Sequence, residues 1–260
     1  MPAGISTAAG EAMFARYAYP PNELGYCGPG DGHELLQFAF GAAGGAGTRS
    51  ENHFDMSGRA RAFDGAWPYL EHLAATAGSD SPMDRRVVEA YWVGNDLLEA
   101  ADPAQFAAAA AAAFAGQAWA DWAALTPHHS PTPVPVPHHS FHVFVVYPWV
   151  GVLRRTGEAK ALEVLDRCRI RWGRVEAVDG DVARVQYEPL TWNGTAFGLG
   201  APRSETARIA AGGRSLLDPP RPGEWVALHW DWVCDRLDPD QLRALKKYTA
   251  RQLAITNRPG

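Results

Sequence analysis

The sequence predicts an α+β protein: a helical N-terminal domain, then a small β-barrel with a C-terminal helix. Before about residue 163, apolar residues recur at helical spacing, whereas after Cys168 they alternate with polar residues as in strands. Asp238-Pro239 then opens an amphipathic segment that carries Leu242, Leu245 and Tyr248. We therefore predict two domains, residues 1–163 and residues 164–260.

The composition and charge of the chain argue against several classes of function. The chain has 260 residues, of which 47% are hydrophobic and 20% charged, as in ordinary globular proteins. The net charge of −5 and the lack of a Lys/Arg block argue against nucleic acid or a membrane as partner. There is no apolar run of about 18 residues, and the N-terminus does not resemble a signal peptide. A cytoplasmic location is expected.

The N-terminal region opens with segments rich in proline and glycine. Pro20-Pro21 and the glycines of residues 25–30 predict that residues 1–32 are irregular. A helix is expected to follow Asp31 and to reach Phe40, and the glycine-rich stretch 41–47 predicts a loop.

Further helices are expected up to the Pro-rich segment. Residues 56–77 have a helical pattern with a predicted break at Pro68, and Asp80 or Ser81 is the predicted cap of the next helix. Asp102-Pro103 repeats the cap signal. The Pro-rich segment 127–137 predicts an extended strap.

The second domain begins with a short predicted helix over residues 158–165. Alternating strands follow around Val175 and Val185, joined by the turn signal Asp179-Gly180-Asp181, and a later strand covers residues 226–230. This order of elements predicts the small barrel.

Four short segments in this domain carry a resemblance. Residues 168–175 read CRIRWGRV, a Cys-x4-Gly-x-Val spacing, and residues 176–185, EAVDGDVARV, continue as a hairpin. Residues 222–229 read PGEWVALH, and residues 231–238 read DWVCDRLD before the last helix. In this order they resemble the HypC family of [NiFe]-hydrogenase maturation chaperones, over about residues 164–256. Here the cysteine is internal rather than at the N-terminus, and a long insertion, roughly residues 191–220, separates the strands.

The resemblance implies both a fold and a function. HypC-like proteins are small OB-like barrels, and Cys168 would ligate the iron of an Fe(CO)(CN)2 precursor with support from His229. The implied partners are a HypD-like protein and the hydrogenase large subunit. A thiolate is a strong, soft ligand for such iron. Arg167, Arg169 and Arg171 are expected to lower the pKa of the Cys168 thiol.

Other residues keep alternative hypotheses open. His138 and His142 stand at i, i+4 spacing within a histidine cluster that also includes His128, His129 and His139, and on a helix the pair would share one face, as in many metal sites. Cys27 lies in a glycine-rich turn, and Asn95 with Asp96 is expected to form a polar network in mid-helix.

Three functions follow from these candidates. The first is an accessory protein of hydrogenase maturation rather than an enzyme in its own right. The second is a metal- or thiol-dependent enzyme whose site in the N-terminal domain uses Cys27 and the histidines near 138–142. The third is a pure protein-interaction module. No nucleotide is expected, because the sequence has no P-loop and no Gly-x-Gly-x-x-Gly motif after a strand.

Overall fold

The structure, a computed structural model, describes residues 3–30, 32–43, 55–116 and 133–258. Helices fill the first part of the chain, strands follow, and a long helix ends it, which is an α+β arrangement. No helix in the described ranges combines the length and apolarity needed to cross a lipid bilayer.

The helices before the Pro-rich segment form most of the first half. They are α1 (Ala3–Glu23), α2 (Gly32–Ala43), α3 (Met56–Arg61), α4 (Trp67–Ala77), α5 (Arg85–Trp92), α6 (Leu97–Ala100) and α7 (Pro103–Ala113). A second group follows residue 137: the short α8 (His139–Phe141), a π-helical turn (His142–Val146), α9 (Trp149–Thr156) and α10 (Ala159–Cys168).

The largest departure from the sequence prediction is α1, because residues 1–32 were expected to be irregular. Pro20 and Pro21 lie within the last turn of α1 instead of preventing it. Met13, Phe14 and Tyr17 are fully buried, so apolar burial outweighs the cost of the prolines at the helix end. The irregular segment is confined to the turns after Glu23, where Gly25 and Gly28 have positive φ.

The boundaries of several other helices also differ from the prediction. The predicted helix after Asp31 exists as α2, but it continues into the expected loop, whose residues 44–47 lie outside the described ranges. Pro68 does not break a helix: it occupies the first turn of α4, where its missing N–H costs nothing. Asp84, rather than Asp80 or Ser81, caps α5 by accepting from the Arg86 N–H at 2.9 Å. The cap at Asp102 is confirmed.

The strands are β1 (Arg171–Asp179), β2 (Val182–Tyr187), β3 (Leu190–Trp192), β4 (Phe197–Leu199), β5 (Arg203–Arg208), β6 (Ala210–Ala211), β7 (Arg214–Ser215), β8 (Trp225–His229) and β9 (Trp232–Arg236). The hairpin at Gly180 is confirmed, since β1 and β2 pair antiparallel around it. The neighbour order β1-β2-β5-β9-β8 returns to β1 through the β1–β8 pairing, so the pairings form a ring. The last helix, α11 (Pro239–Thr256), begins after Asp238 as predicted, and Asp238 forms a capping box with Gln241.

The segment expected to be an insertion is part of the sheet. Its strand β5 pairs antiparallel with β2 along six residues, from Val182↔Arg208 to Tyr187↔Arg203. It also meets β9 in parallel at Arg208↔Trp232. Without β5 the ring would be open between β2 and β9, so this segment contributes to the core of the second half.

One apolar core runs through both halves of the chain. Phe14 and Trp92 from the helical half belong to the same buried cluster as Ala227, Trp232 and Cys234 from the sheet. Arg16 of α1 also bonds the Cys234 carbonyl at 2.9 Å. The sheet therefore packs directly on α1 and α5, and the residues discussed next lie where these elements meet.

Candidate metal centre

Three buried side chains with metal-ligating atoms come together between the helices and the sheet. They are His139, Cys168 and His229, and one ring nitrogen of each histidine and the cysteine sulfur lie within 4.8 Å of one another. Imidazole and thiolate are the common ligands of zinc, copper, nickel and iron in proteins. The sequence had proposed Cys168 and His229 as a pair; His139 is added by the fold.

Each of these residues stands at the end of an element. His139 begins α8, Cys168 ends α10 and His229 ends β8. After Cys168 the chain turns into β1, because Arg169 adopts an extended conformation with ψ of 144°. The thiol therefore lies at the join of a helix and a strand rather than within the sheet.

Trp230 fixes the strand end beside Cys168. Its N–H donates to the Arg167 carbonyl at 2.8 Å, and its own carbonyl accepts from the guanidinium of Arg171. Its φ of 54° is in the left-handed region, which a large side chain rarely adopts. These backbone contacts hold the strained turn and keep His229 next to the end of α10.

The imidazole of His229 has a defined tautomer. Its Nδ1 lies 2.7 Å from the carbonyl oxygen of Tyr17, which can only accept, so Nδ1 carries the proton. Its Nε2 is buried and has no hydrogen-bond partner among the described residues. Burial lowers the pKa of His229 well below its ordinary value. His229 thus presents a lone pair on Nε2 to the interior.

His139 is held between Tyr91 and the end of α10. Its Nδ1 lies 3.1 Å from the Tyr91 hydroxyl and its Nε2 lies 2.9 Å from the carbonyl oxygen of Cys168. The indole of Trp92 packs against it, with ring centroids 4.7 Å apart. Burial lowers the pKa of His139 to about 4, so the ring is neutral at neutral pH.

Cys168 is a thiol rather than a thiolate in this environment. Burial raises its pKa well above the ordinary value, so the expected effect of the neighbouring arginines was wrong. Arg169 and Arg171 are themselves neutralised, by Asp166 at 2.9 Å and by Glu205 at 2.6 Å respectively. A metal ion would have to displace the proton to bind here.

Comparison with known proteins places the chain in a family. Residues 6–259 match the family described as "Family of unknown function (DUF6390)". The chain belongs to the DUF6390 family. No curated protein and no solved structure matches it.

A second thiol of this DUF6390 protein lies close to the cluster. Cys27 interacts electrostatically with Cys168 and raises its pKa, and burial raises the pKa of Cys27 itself to about 12. The residue before it, Tyr26, packs its ring on Trp230 with centroids 4.2 Å apart. Tyr147 donates to the Tyr26 carbonyl at 3.4 Å. The turn after α1 therefore lies against the end of β8.

The DUF6390 fold does not pair His138 with His142 as the spacing predicted. His138 is the extended residue before α8, with ψ of 149°, so the two rings do not share a helix face. The Nδ1 of His138 bonds the Ser140 hydroxyl at 2.7 Å, whereas that of His142 lies 3.2 Å from the Tyr69 hydroxyl. His128 and His129 lie outside the described residues.

The predicted polar network at Asn95 and Asp96 is a surface turn. α5 ends at Trp92, and Gly94 reverses the chain with φ of 97°, so these residues are not in mid-helix. The Asn95 amide donates to the Arg86 carbonyl at 2.9 Å, and the exposed Asp96 pairs with the Arg86 guanidinium at 2.7 Å. Their hydrogen bonds are those of an ordinary helix end.

Proposed function

We propose that this protein is an accessory chaperone of [NiFe]-hydrogenase maturation that holds an Fe(CO)(CN)2 precursor through Cys168 and His229. The observation that carries the proposal is the proximity of these two side chains. The HypC resemblance pairs them, although they lie far apart in sequence, and their ligating atoms approach within 4.8 Å.

The chemistry of the donors fits an iron fragment of this kind. A thiolate and an imidazole are good ligands for low-spin iron that already carries carbonyl and cyanide. The buried Nε2 of His229 lacks a partner among the described residues, and a buried polar atom of this kind costs stability unless it is satisfied. A metal bound between Cys168 and His229 would satisfy it.

The arrangement of strands supports an OB-like barrel. Five strands pair in the order β1-β2-β5-β9-β8 and the first pairs with the last, as in the partly open five-stranded barrels of the OB type. Cys168 precedes β1 and His229 ends β8, and β1 pairs with β8. This pairing is what brings the two motifs of the resemblance together.

The turn after α1 would have to move when the Fe(CO)(CN)2 precursor enters or leaves the site. The rings of Tyr26 and Trp230 pack against each other beside the site, and Cys168 and His229 are both buried. Loading from a HypD-like protein and delivery to a hydrogenase large subunit, both in the cytoplasm, would require Tyr26 to move away from Trp230. The protein would act by holding and transferring the fragment, not by catalysing a reaction of its own.

An infrared spectrum tests the proposal. Protein purified anaerobically from its own host should show CO and cyanide stretching bands, and the Cys168→Ala variant should lack them. Cys234→Ala is the matched control, because Cys234 is also a buried thiol but does not belong to the cluster of His139, Cys168 and His229, and its thiol contacts the Trp232 carbonyl. This control should keep the bands.

Two other results would reject the iron-fragment role. CO and cyanide bands that persist in Cys168→Ala would show that Cys168 does not hold the iron. A stoichiometric metal without carbonyl or cyanide bands would indicate a resident ion held by protein ligands alone, as in structural metal sites.

A further inference from the structure

The hairpin between β8 and β9 contains a backbone conformation that its sequence disfavours. Two residues, Trp230 and Asp231, connect His229 to its pairing partner Trp232. Trp230 has a φ of 54°, and within the described residues it is the only residue other than glycine with a positive φ. This left-handed conformation is sterically costly for any residue that carries a Cβ, and a bulky side chain there is a true outlier.

The hairpin between β1 and β2 shows the residue that such a turn normally contains. Gly180 and Asp181 connect Asp179 to Val182, and Gly180 has a φ of 55°. Two-residue hairpins have a positive φ at their first central residue, so glycine is favoured there. The two turns have the same length and nearly the same first dihedral angle, but tryptophan replaces glycine in the turn that follows His229.

Contacts from β1 and β5 hold this strained turn. The buried guanidinium of Arg171 donates to the Trp230 carbonyl and pairs with the Glu205 carboxylate of β5 at 2.6 Å. Because this carboxylate offsets the charge of Arg171, the guanidinium can remain buried beside the turn. The second carbonyl of the turn, that of Asp231, accepts from the N–H of Arg208, also in β5, at 2.7 Å.

The same turn joins the two candidate ligands. Trp230 directly follows His229, and its N–H donates at 2.8 Å to the carbonyl of Arg167, the residue before Cys168. Relaxation of Trp230 to a negative φ would change the path of the chain where β8 ends, and His229 would move relative to Cys168. Strained residues persist only where the surrounding structure holds them, and they are concentrated at functional sites.

We propose that Arg171 is a positioning residue of the metal site: with Glu205 as its counter-ion, it holds Trp230 in the left-handed conformation. It thereby sets the position of His229 relative to Cys168. This inference rests on the proposed function, because it assumes that these two side chains bind a metal. It also gives a role to the segment that separates the HypC-like motifs, since its strand β5 contributes to holding both residues of the turn.

The side chain of Trp230 explains why glycine does not occupy this turn. Its ring packs on Tyr26, with centroids 4.2 Å apart, and belongs to the same buried apolar cluster as Cys168. Glycine would relieve the backbone strain but would leave this volume unfilled. The indole therefore covers the site, and the contacts of Arg171 offset the cost of the backbone conformation that places it there.

Cobalt(II) binding to the full-length protein tests the inference, because its absorption bands report both thiolate ligation and coordination geometry. We expect Arg171→Met to bind Co²⁺ about 10–100-fold more weakly than wild type, with shifted d–d bands and a retained thiolate charge-transfer band. Arg251→Met is the matched control and should bind Co²⁺ as wild type does. The Arg251 guanidinium also bonds a backbone carbonyl, that of Val134 at 2.8 Å, and a carboxylate, that of Glu99 at 3.1 Å, but neither belongs to the metal cluster.

A second substitution distinguishes positioning through the turn from a general structural role. Glycine adopts a positive φ without strain, so in the Trp230→Gly background the turn no longer needs the guanidinium. Arg171→Met should therefore weaken Co²⁺ binding much less in this background than in wild type. An equal loss of affinity in both backgrounds would show that Arg171 does not act through the conformation of Trp230, and would overturn the proposal.

The remaining variants keep the test decisive. Arg171→Met leaves the Glu205 carboxylate without its partner, so Arg171→Met/Glu205→Gln, which leaves no unpaired charge, should show the same loss of affinity even if the single variant does not fold. If Cys168→Ala loses Co²⁺ while both Arg171 variants bind it as wild type does, only this inference fails. If wild type binds no Co²⁺, or Cys168→Ala binds it normally, the metal site itself is refuted.

Discussion

The Nδ1–H of His229, at the end of β8, donates to the backbone carbonyl of Tyr17 in α1 over 2.7 Å. A backbone carbonyl does not move with its side chain, so α1 sets the orientation of this imidazole whatever residue stands at position 17. The candidate ligand on the sheet is thus oriented by the first helix, and the site depends on both halves of the chain.

Metal binding should release about one proton per ion at pH 7, because Cys168 must become a thiolate whereas the histidines are already neutral. The raised pKa of Cys168 and the lowered pKa values of His139 and His229 are the reason. Calorimetric titration with Zn²⁺ in buffers of different ionisation enthalpy measures the number. Release of no proton would mean that the thiol stays protonated and is not a ligand; about two would add Cys27 as a further ligand.

Acid should destabilise the metal-free protein below about pH 6.5. Burial lowers the pKa of His139 to about 4 and that of His138 and His142 to about 3. The unfolded chain binds protons near pH 6.5, where the folded chain does not, so stability is complete above this pH and declines toward the folded pKa values. Each ring contributes on the order of 1 kcal/mol per pH unit.

Urea midpoints at pH 7, 6 and 5 measure this loss. His142→Gln cannot take up a proton and should flatten the dependence relative to wild type, whatever its stability at pH 7. A midpoint that is constant or rises as the pH falls would contradict the neutral, buried state of these histidines.

Local sequence signals were sufficient to predict the helices and hairpins whose start or turn is marked by characteristic residues. Asp238-Pro239 opens α11 as predicted, and Gly180 lies in the predicted hairpin between β1 and β2. The helix α1 could not be found in this way, because its residues are apolar on most faces and leave no amphipathic period to detect. Strand β5 has the sequence RSETAR, whose mostly exposed side chains lack a hydrophobic alternation.

Only the site residues that lie within the HypC-like motifs could be predicted from the sequence. Cys168 and His229 belong to the segments that resemble HypC, so the sequence could name them. His139 belongs to no motif, and sequence spacing favoured its neighbour His138 instead. His139 joins the cluster because the fold places α8 between Tyr91 and the end of α10. No local sequence pattern predicts that placement.

Asp166 should be among the most sensitive positions next to the site. Its carboxylate is buried, lies 2.9 Å from the Arg169 guanidinium and accepts from the Leu190 N–H at 2.9 Å. Asp166→Asn leaves the buried charge of Arg169 uncompensated, so the free energy of unfolding should fall by about 3–5 kcal/mol. Asp96→Asn is the control: its pair with Arg86 is exposed and worth less than about 1 kcal/mol. Equal urea midpoints for the two variants would refute the role of Asp166.

Gly94 should be required for the docking of α11 on the helical half. A Cβ at this position would lie 2.3 Å from the Tyr248 ring, and the backbone φ is 97°. Gly94→Ala should therefore lower the free energy of unfolding by clearly more than about 1 kcal/mol, since the ring clash adds to the backbone strain. Gly78→Ala separates the two causes, because Gly78 also has positive φ, at 62°, but its Cβ would meet nothing within 4 Å. If chemical denaturation gives the same loss for both variants, Tyr248 does not pack against Gly94, and the contact between α11 and the turn after α5 is wrong.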